Sequence, residues 1–157
     1  ALPALTSLSI HTMHVGDAGV SALAAALGRG ALPRLKIFQL SSTAITDAGL
    51  VTLAPALWPL PALERLYLSS NLIGDEGLVA LVPPPPPAGA LPLPTGMLTK
   101  LKSIDLGWNQ FSDAGCATFA AALHSGALPA LVVLSLHHTI ASAAAKASVN
   151  FRDPYRV

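Results

Sequence analysis

The stretch Leu63-Glu64-Arg65-Leu66-Tyr67-Leu68-Ser69-Ser70-Asn71-Leu72-Ile73-Gly74-Asp75-Glu76-Gly77 decides the fold. Leu66 and Leu68 alternate with Arg65 and Tyr67, which is the period of a short strand with one apolar face. A lone Asn71 follows, then Ile73, then an Asp-x-Gly that opens a helix. Alone this is a strand, a turn and a helix start. Its weight comes from repetition.

The pattern L-x-x-L-x-L begins at Leu5, Leu35, Leu63, Leu101 and Leu131, in steps of 30, 28, 38 and 30 residues. The long step holds a proline-rich insertion at 83–96. The columns agree from copy to copy. The fourth position reads Leu8, Phe38, Leu66, Ile104, Leu134, and the sixth reads Ile10, Leu40, Leu68, Leu106, Leu136. The ninth reads Met13, Thr43, Asn71, Asn109, Thr139. Asp17, Asp47, Asp75 and Asp113 follow, each with glycine two residues on. After that turn the period changes: Val20, Leu23, Leu27, then Leu50, Leu53, Leu57, then Cys116, Phe119, Leu123 are spaced three and four apart. That spacing is one apolar stripe on a helix. Gly28 and Gly30, Trp58-Pro59, and His124-Ser125-Gly126 mark the helix ends.

One strand–turn–helix unit cannot bury both its strand face and its helix stripe, so the units must stack. Helices about 10 Å wide are broader than the ~4.8 Å strand spacing, so the stack curves with its strands inside. The reading is a single α/β domain over 1–157. Five parallel strands line the concave side and about four helices the convex side, with a degenerate segment over 141–157. There Ala143 and Ala145 stand where Asp and Gly belong, although Ser142 can still cap a short helix to Val149. The helix of copy three should stop near Val82, ahead of Pro83. The first and last strands have no partner on their outer sides.

The motif L-x-x-L-x-L-x-x-N at Leu63–Asn71 and Leu101–Asn109 resembles the leucine-rich repeat family. The period and the helical Asp-x-Gly segment are similar to its ribonuclease-inhibitor-like subclass, seen also in NOD-like receptors. The resemblance implies a horseshoe solenoid that binds a protein partner. Its asparagine ties neighbouring turns, a role that Thr43 and Thr139 can fill in part and Met13 cannot. Fold analogy alone adds two narrower readings. One is a regulator of an enzyme, such as a GTPase-activating protein. The other is a fragment of a larger receptor.

Composition narrows the functional classes. The chain has 157 residues, 52% hydrophobic and 11% charged, against about 25% charged in ordinary domains. A net charge of +1 offers no electrostatic footing for nucleic acid or an anionic membrane. No apolar run approaches the ~20 residues of a membrane span. The chain begins at Ala1 directly in repeat sequence, as an excised piece would, with no signal-peptide pattern. The single cysteine, Cys116, fits a reducing, cytoplasmic setting.

Candidate chemistry is sparse. The aspartate column suits helix N-termini better than a row of metal ligands, with Thr46 and Ser112 as further caps. His11 and His137 share a column but lie four strand spacings apart, about 19 Å, too far to share an ion. Cys116 falls in a core column. Its distance from His124 is about 12 Å of helix rise, too long for a thiolate–imidazole pair. There is no phosphate-binding glycine loop and no catalytic constellation, so the reading is a non-enzyme without cofactor or metal. Pro83–Pro87 could serve as a polyproline ligand for an SH3-like or profilin-like domain, or be a tolerated loop insertion.

The outward strand face carries the functional expectation. Its central column is Ser9, Gln39, Tyr67, Asp105, Ser135. Flanking columns hold Ser7, Ile37, Arg65, Ser103, Val133 and Thr12, Ser42, Ser70, Trp108, His138. Arg65, Tyr67 and Trp108 are residue types that anchor interfaces. With Lys36, Gln39, Glu64, Lys102, Asp105 and His138 they form the expected concave binding patch.

Overall fold

A computed structural model describes residues 4–84 and 97–149. Strands β1 (Ser7–Ser9), β2 (Ile37–Gln39), β3 (Arg65–Tyr67), β4 (Ser103–Asp105) and β5 (Val133–Ser135) form one parallel sheet in chain order. They alternate with α1 (Gly16–Gly28), α2 (Asp47–Leu57), α3 (Asp75–Ala80), α4 (Asp113–His124) and α5 (Ala143–Ser148). The register follows the sequence columns: Leu8 opposes Phe38, Phe38 opposes Leu66, Leu66 opposes Ile104, and Ile104 opposes Leu134. Each helix packs on the next, α1 on α2 through to α4 on α5. The result is the α/β arc expected from the repeat.

The described residues hold five helices rather than about four. Copy five keeps a short helix although its Asp and Gly are gone, because Ser142 Oγ accepts from Ala145 N at 3.2 Å. Helix α3 ends at Ala80, six residues long, just ahead of Pro83. Helix α2 runs through Pro55, which leaves the Val51 carbonyl without its usual donor. Helix α1 is followed by Gly30, which adopts φ +73° and donates from its N–H to the Leu27 carbonyl at 2.8 Å.

The core lies between sheet and helices. Leu35, Phe38, Leu40, Ile45, Leu50, Leu53, Leu57, Leu63, Leu66 and Leu68 are fully buried. Full burial of a leucine contributes about 2 kcal/mol. Toward the two ends the stripe is less covered: Leu23 is half-buried because α1 has, among the described residues, a helix on one side only, and Leu123 is half-buried on α4, whose outer neighbour α5 is only six residues long.

Two polar ladders fix the copies to one another. Asn71 Oδ1 accepts from Thr43 N and Ile45 N at 3.1 Å each, while Asn71 Nδ2 donates to the carbonyls of Leu40 and Leu68. Asn109 repeats this one copy later, accepting from Ile73 N and donating to Leu68 and Leu106 carbonyls. Thr43 and Thr139 bond the carbonyls of their own turns, Leu40 and Leu136. Met13 makes no such tie and is 62% exposed.

The second ladder corrects an expectation. The aspartates were expected to cap their own helices; each instead reaches forward to the next copy. Asp17 accepts from Thr46 N (2.9 Å) and from Thr46 Oγ1 (2.6 Å). Asp47 accepts from Gly74 N (2.6 Å) and Gly77 N (2.9 Å). Asp75 accepts from Ser112 N (2.6 Å) and Ser112 Oγ (2.7 Å), and Asp113 from Ser142 N. Thr46, expected as a cap, spends its hydroxyl on Asp17. Ser112 both donates to Asp75 and caps α4 by accepting from Ala114 N. The forward reach explains why glycine accompanies aspartate. A Cβ at Gly49, Gly77 or Gly115 would overlap the carboxylate of the preceding copy.

Candidate protein-binding surface

The strands are only three residues long, so the residues on their outward face are set by register. Arg65 lies opposite Ile37 and Ser103, and Tyr67 opposite Gln39 and Asp105. Copies three to five form a pocket of about 490 Å³ there, lined by Glu64, Arg65, Tyr67, Lys102 and Asp105 together with Ser103, Val133 and Ser135. Five of the nine expected residues are thus brought together. Lys36 and Gln39 lie outside it; Gln39 accepts from Ser9 Oγ at 3.0 Å and ties copy two to copy one.

The remaining two, Trp108 and His138, are not strand residues. They sit in the turns after β4 and β5 with φ of +57° and +52°. Thr12, Ser42 and Ser70 hold the same left-handed geometry in the other copies. The indole of Trp108 stacks on the His138 imidazole, with centroids 4.1 Å apart and planes 21° from parallel. His137 meets His138 edge-on at 5.5 Å.

Electrostatics on this face are mixed. Lys102 Nζ lies 3.4 Å from Glu64 Oε2, the single ion pair among the described residues. Both side chains are partly exposed, so this pair contributes at most about 1 kcal/mol. Arg65 and Asp105 form no ion pair among the described residues. Asp105 Oδ1 accepts from Gly107 N at 3.1 Å. Val132 also lines the pocket and is 54% exposed. The sequence reading passed over it because its column otherwise holds Thr6, Lys36, Glu64 and Lys102; that break was the available signal.

Elsewhere the chemistry is quiet. Cys116 is buried, and burial pushes its thiol above the usual range, helped by the charges of Asp113 and Asp75. His124 Nδ1 sits 2.8 Å from the Ala120 carbonyl of its own helix. Among the described residues no group of three or more His, Cys, Asp or Glu is placed to share a metal. No helix among them is long and apolar enough to cross a membrane. Pro85–Pro87 of the proline run lie outside the described residues.

Comparison with known proteins agrees with this geometry. The family model described as Leucine Rich repeat matches residues 32–54, 61–82 and 98–120, which are copies two, three and four. A solved structure titled "Leiomodin-1 Actin-Binding Site 2 (ABS2)" is similar over 94% of this chain and 78% of that chain, with TM-score 0.67 and 17% identity. At that identity the likeness concerns the fold. No curated protein matches the chain. These findings support a leucine-rich-repeat family, and the arc is a leucine-rich-repeat solenoid.

Proposed function

We propose that this chain is a non-enzymatic module, a single domain over 1–157, that binds a protein partner through the concave face of copies three to five. The observation that carries the reading is the pocket holding Arg65, Tyr67 and Asp105 together, with the charges of Arg65 and Asp105 unmatched among the described residues. An aromatic and an arginine in a concavity are what interface anchors are made of. The Asp-x-Gly helix starts favour the ribonuclease-inhibitor-like subclass, and the lone free Cys116 favours an intracellular setting.

The test is selection of binders from a displayed peptide library on the wild-type arc, followed by binding to a Tyr67→Ala/Trp108→Ala double variant. Loss of most selected binders supports the reading; retention of all of them overturns it. Actin joins the panel on account of the similar structure's title. A panel of small GTPases separates the enzyme-regulator reading, since accelerated GTP hydrolysis would replace simple binding as the function.

A further inference from the structure

Two adjacent columns at the end of each strand read Ser41-Ser42 and Ser69-Ser70 in copies two and three. In copies four and five they read Gly107-Trp108 and His137-His138. These four departures interlock. A Cβ at Gly107 would overlap the His137 imidazole, so glycine there makes room for the ring. His137 Nδ1 is 2.5 Å from Ser135 Oγ, and Ser135 is buried. His137 abuts the His138 edge, and His138 carries the Trp108 indole on its face.

The arrangement works against local preference. A bulky indole disfavours positive φ, yet Trp108 adopts it at +57°. Trp108 is also 55% exposed, so core packing does not account for it. What the cluster achieves is an indole stacked on an imidazole with just over half of the residue's surface exposed.

The charge beside it indicates the ligand. Asp105 Oδ1 is held by Gly107 N, the residue next to Trp108, so a carboxylate is fixed at the foot of the same turn. It forms no ion pair among the described residues. Arg65 is one strand across and two residues back, roughly 8 Å by sheet spacing, and Lys102 is taken by Glu64. An open π face beside an uncompensated carboxylate suits a cation. A guanidinium fits best, since its plane can stack on the indole while its N–H groups reach a carboxylate.

We propose that Trp108, backed by His138, and Asp105 form a subsite for an arginine side chain of the protein partner. This rests on the concave face being the binding surface. The molecule supplies its own reference, because Trp58 donates from its indole to the Leu81 carbonyl at 3.3 Å and lies half-buried among the helices. The experiment follows the two indole N–H signals of ¹⁵N-labelled protein during titration with capped Gly-Arg-Gly. The uncharged citrulline counterpart runs in parallel.

Trp108 should shift saturably with arginine while Trp58 stays still. Citrulline should bind at least about fivefold more weakly. Asp105→Asn should weaken the arginine probe by roughly fivefold with the melt unchanged. Trp108→Ser, the residue of copies two and three, should remove binding of the arginine probe as read by calorimetry, which needs no indole, in a protein whose melt is unchanged. Equal shifts with citrulline, full affinity in Asp105→Asn, or no shift with either probe would each overturn the subsite. If that happens while selected binders are still lost on Tyr67→Ala, the binding surface stands and only the arginine assignment falls. If neither responds, both fall.

Discussion

Replacing Gly115 by alanine probes the forward-reaching aspartates most sharply. The new Cβ would lie 2.6 Å from Asp75 Cγ and 3.0 Å from Asp75 Cβ, and would overlap the carboxylate oxygen. The carboxylate must leave, and with it go its bonds from Ser112 N and Ser112 Oγ. Hydrogen bonds to a charged acceptor contribute about 1.5–3 kcal/mol each; the low end suits this part-buried site, so the loss is roughly 3 kcal/mol. Alanine returns up to about 1 kcal/mol of helix propensity. Gly115→Ala should therefore cost about 2 kcal/mol, and Asp75→Ala about 3 kcal/mol. The double variant should cost only about 2 kcal/mol, because the bonds can be lost once only. That is a coupling of roughly 3 kcal/mol against the additive sum. Urea unfolding followed by circular dichroism, with unchanged m-values, measures it. Gly28→Ala is the control: a Cβ there meets open space, so stability should hold or rise by up to about 1 kcal/mol. Additivity of the Gly115 and Asp75 changes within about 0.5 kcal/mol would refute the ladder.

Three further outcomes are expected. Asn71→Asp sets an anion against the carbonyls of Leu40 and Leu68 that the amide now bonds. It should cost about 3 kcal/mol or more, read as a fall of about 10 °C in a thermal melt. Bonds from Ser142 hold the Asp113 carboxyl below its usual range. A depressed folded value stabilises above the unfolded value and is lost as pH falls through the folded one. Wild type should thus lose part of its stability over the acid range below pH 4, and Asp113→Asn should flatten that segment; an unchanged profile would contradict the bond. Cys116, buried and with its thiol pushed upward, should resist a thiol reagent at pH 8 until denaturant is added. Immediate reaction would place it on the surface.

Much of the fold was legible because the repeat states each column five times. Leu66 and its counterparts alternate with outward residues, and the register across the sheet needs only that alternation. Ser142 announced α5 even without Asp and Gly. The aspartates were legible as residues but not as bonds. Local rules point an early-helix Asp at its own N–H groups, whereas Asp47 bonds Gly74, which lies in the next copy. The available signal was the glycine shared by the column: at Gly49, Gly77 and Gly115 a Cβ would meet the carboxylate of the preceding copy, although at Gly19 it would meet Val15 of its own copy. On the proposed binding face, Arg65 and Tyr67 followed from alternation, but Trp108 and His138 did not. Their left-handed turns and mutual stacking depend on contacts between copies that no single copy spells out.

The central claim is that the concave face of copies three to five is where a partner binds. A selected binder measured against two folded charge variants tests it directly: Arg65→Glu on the concave side and Val51→Glu on the exposed convex helix α2. The account predicts at least a tenfold weakening for Arg65→Glu, equivalent to about 1.4 kcal/mol, and unchanged affinity for Val51→Glu. Full binding by Arg65→Glu with loss in Val51→Glu would place the interface on the helices and contradict it.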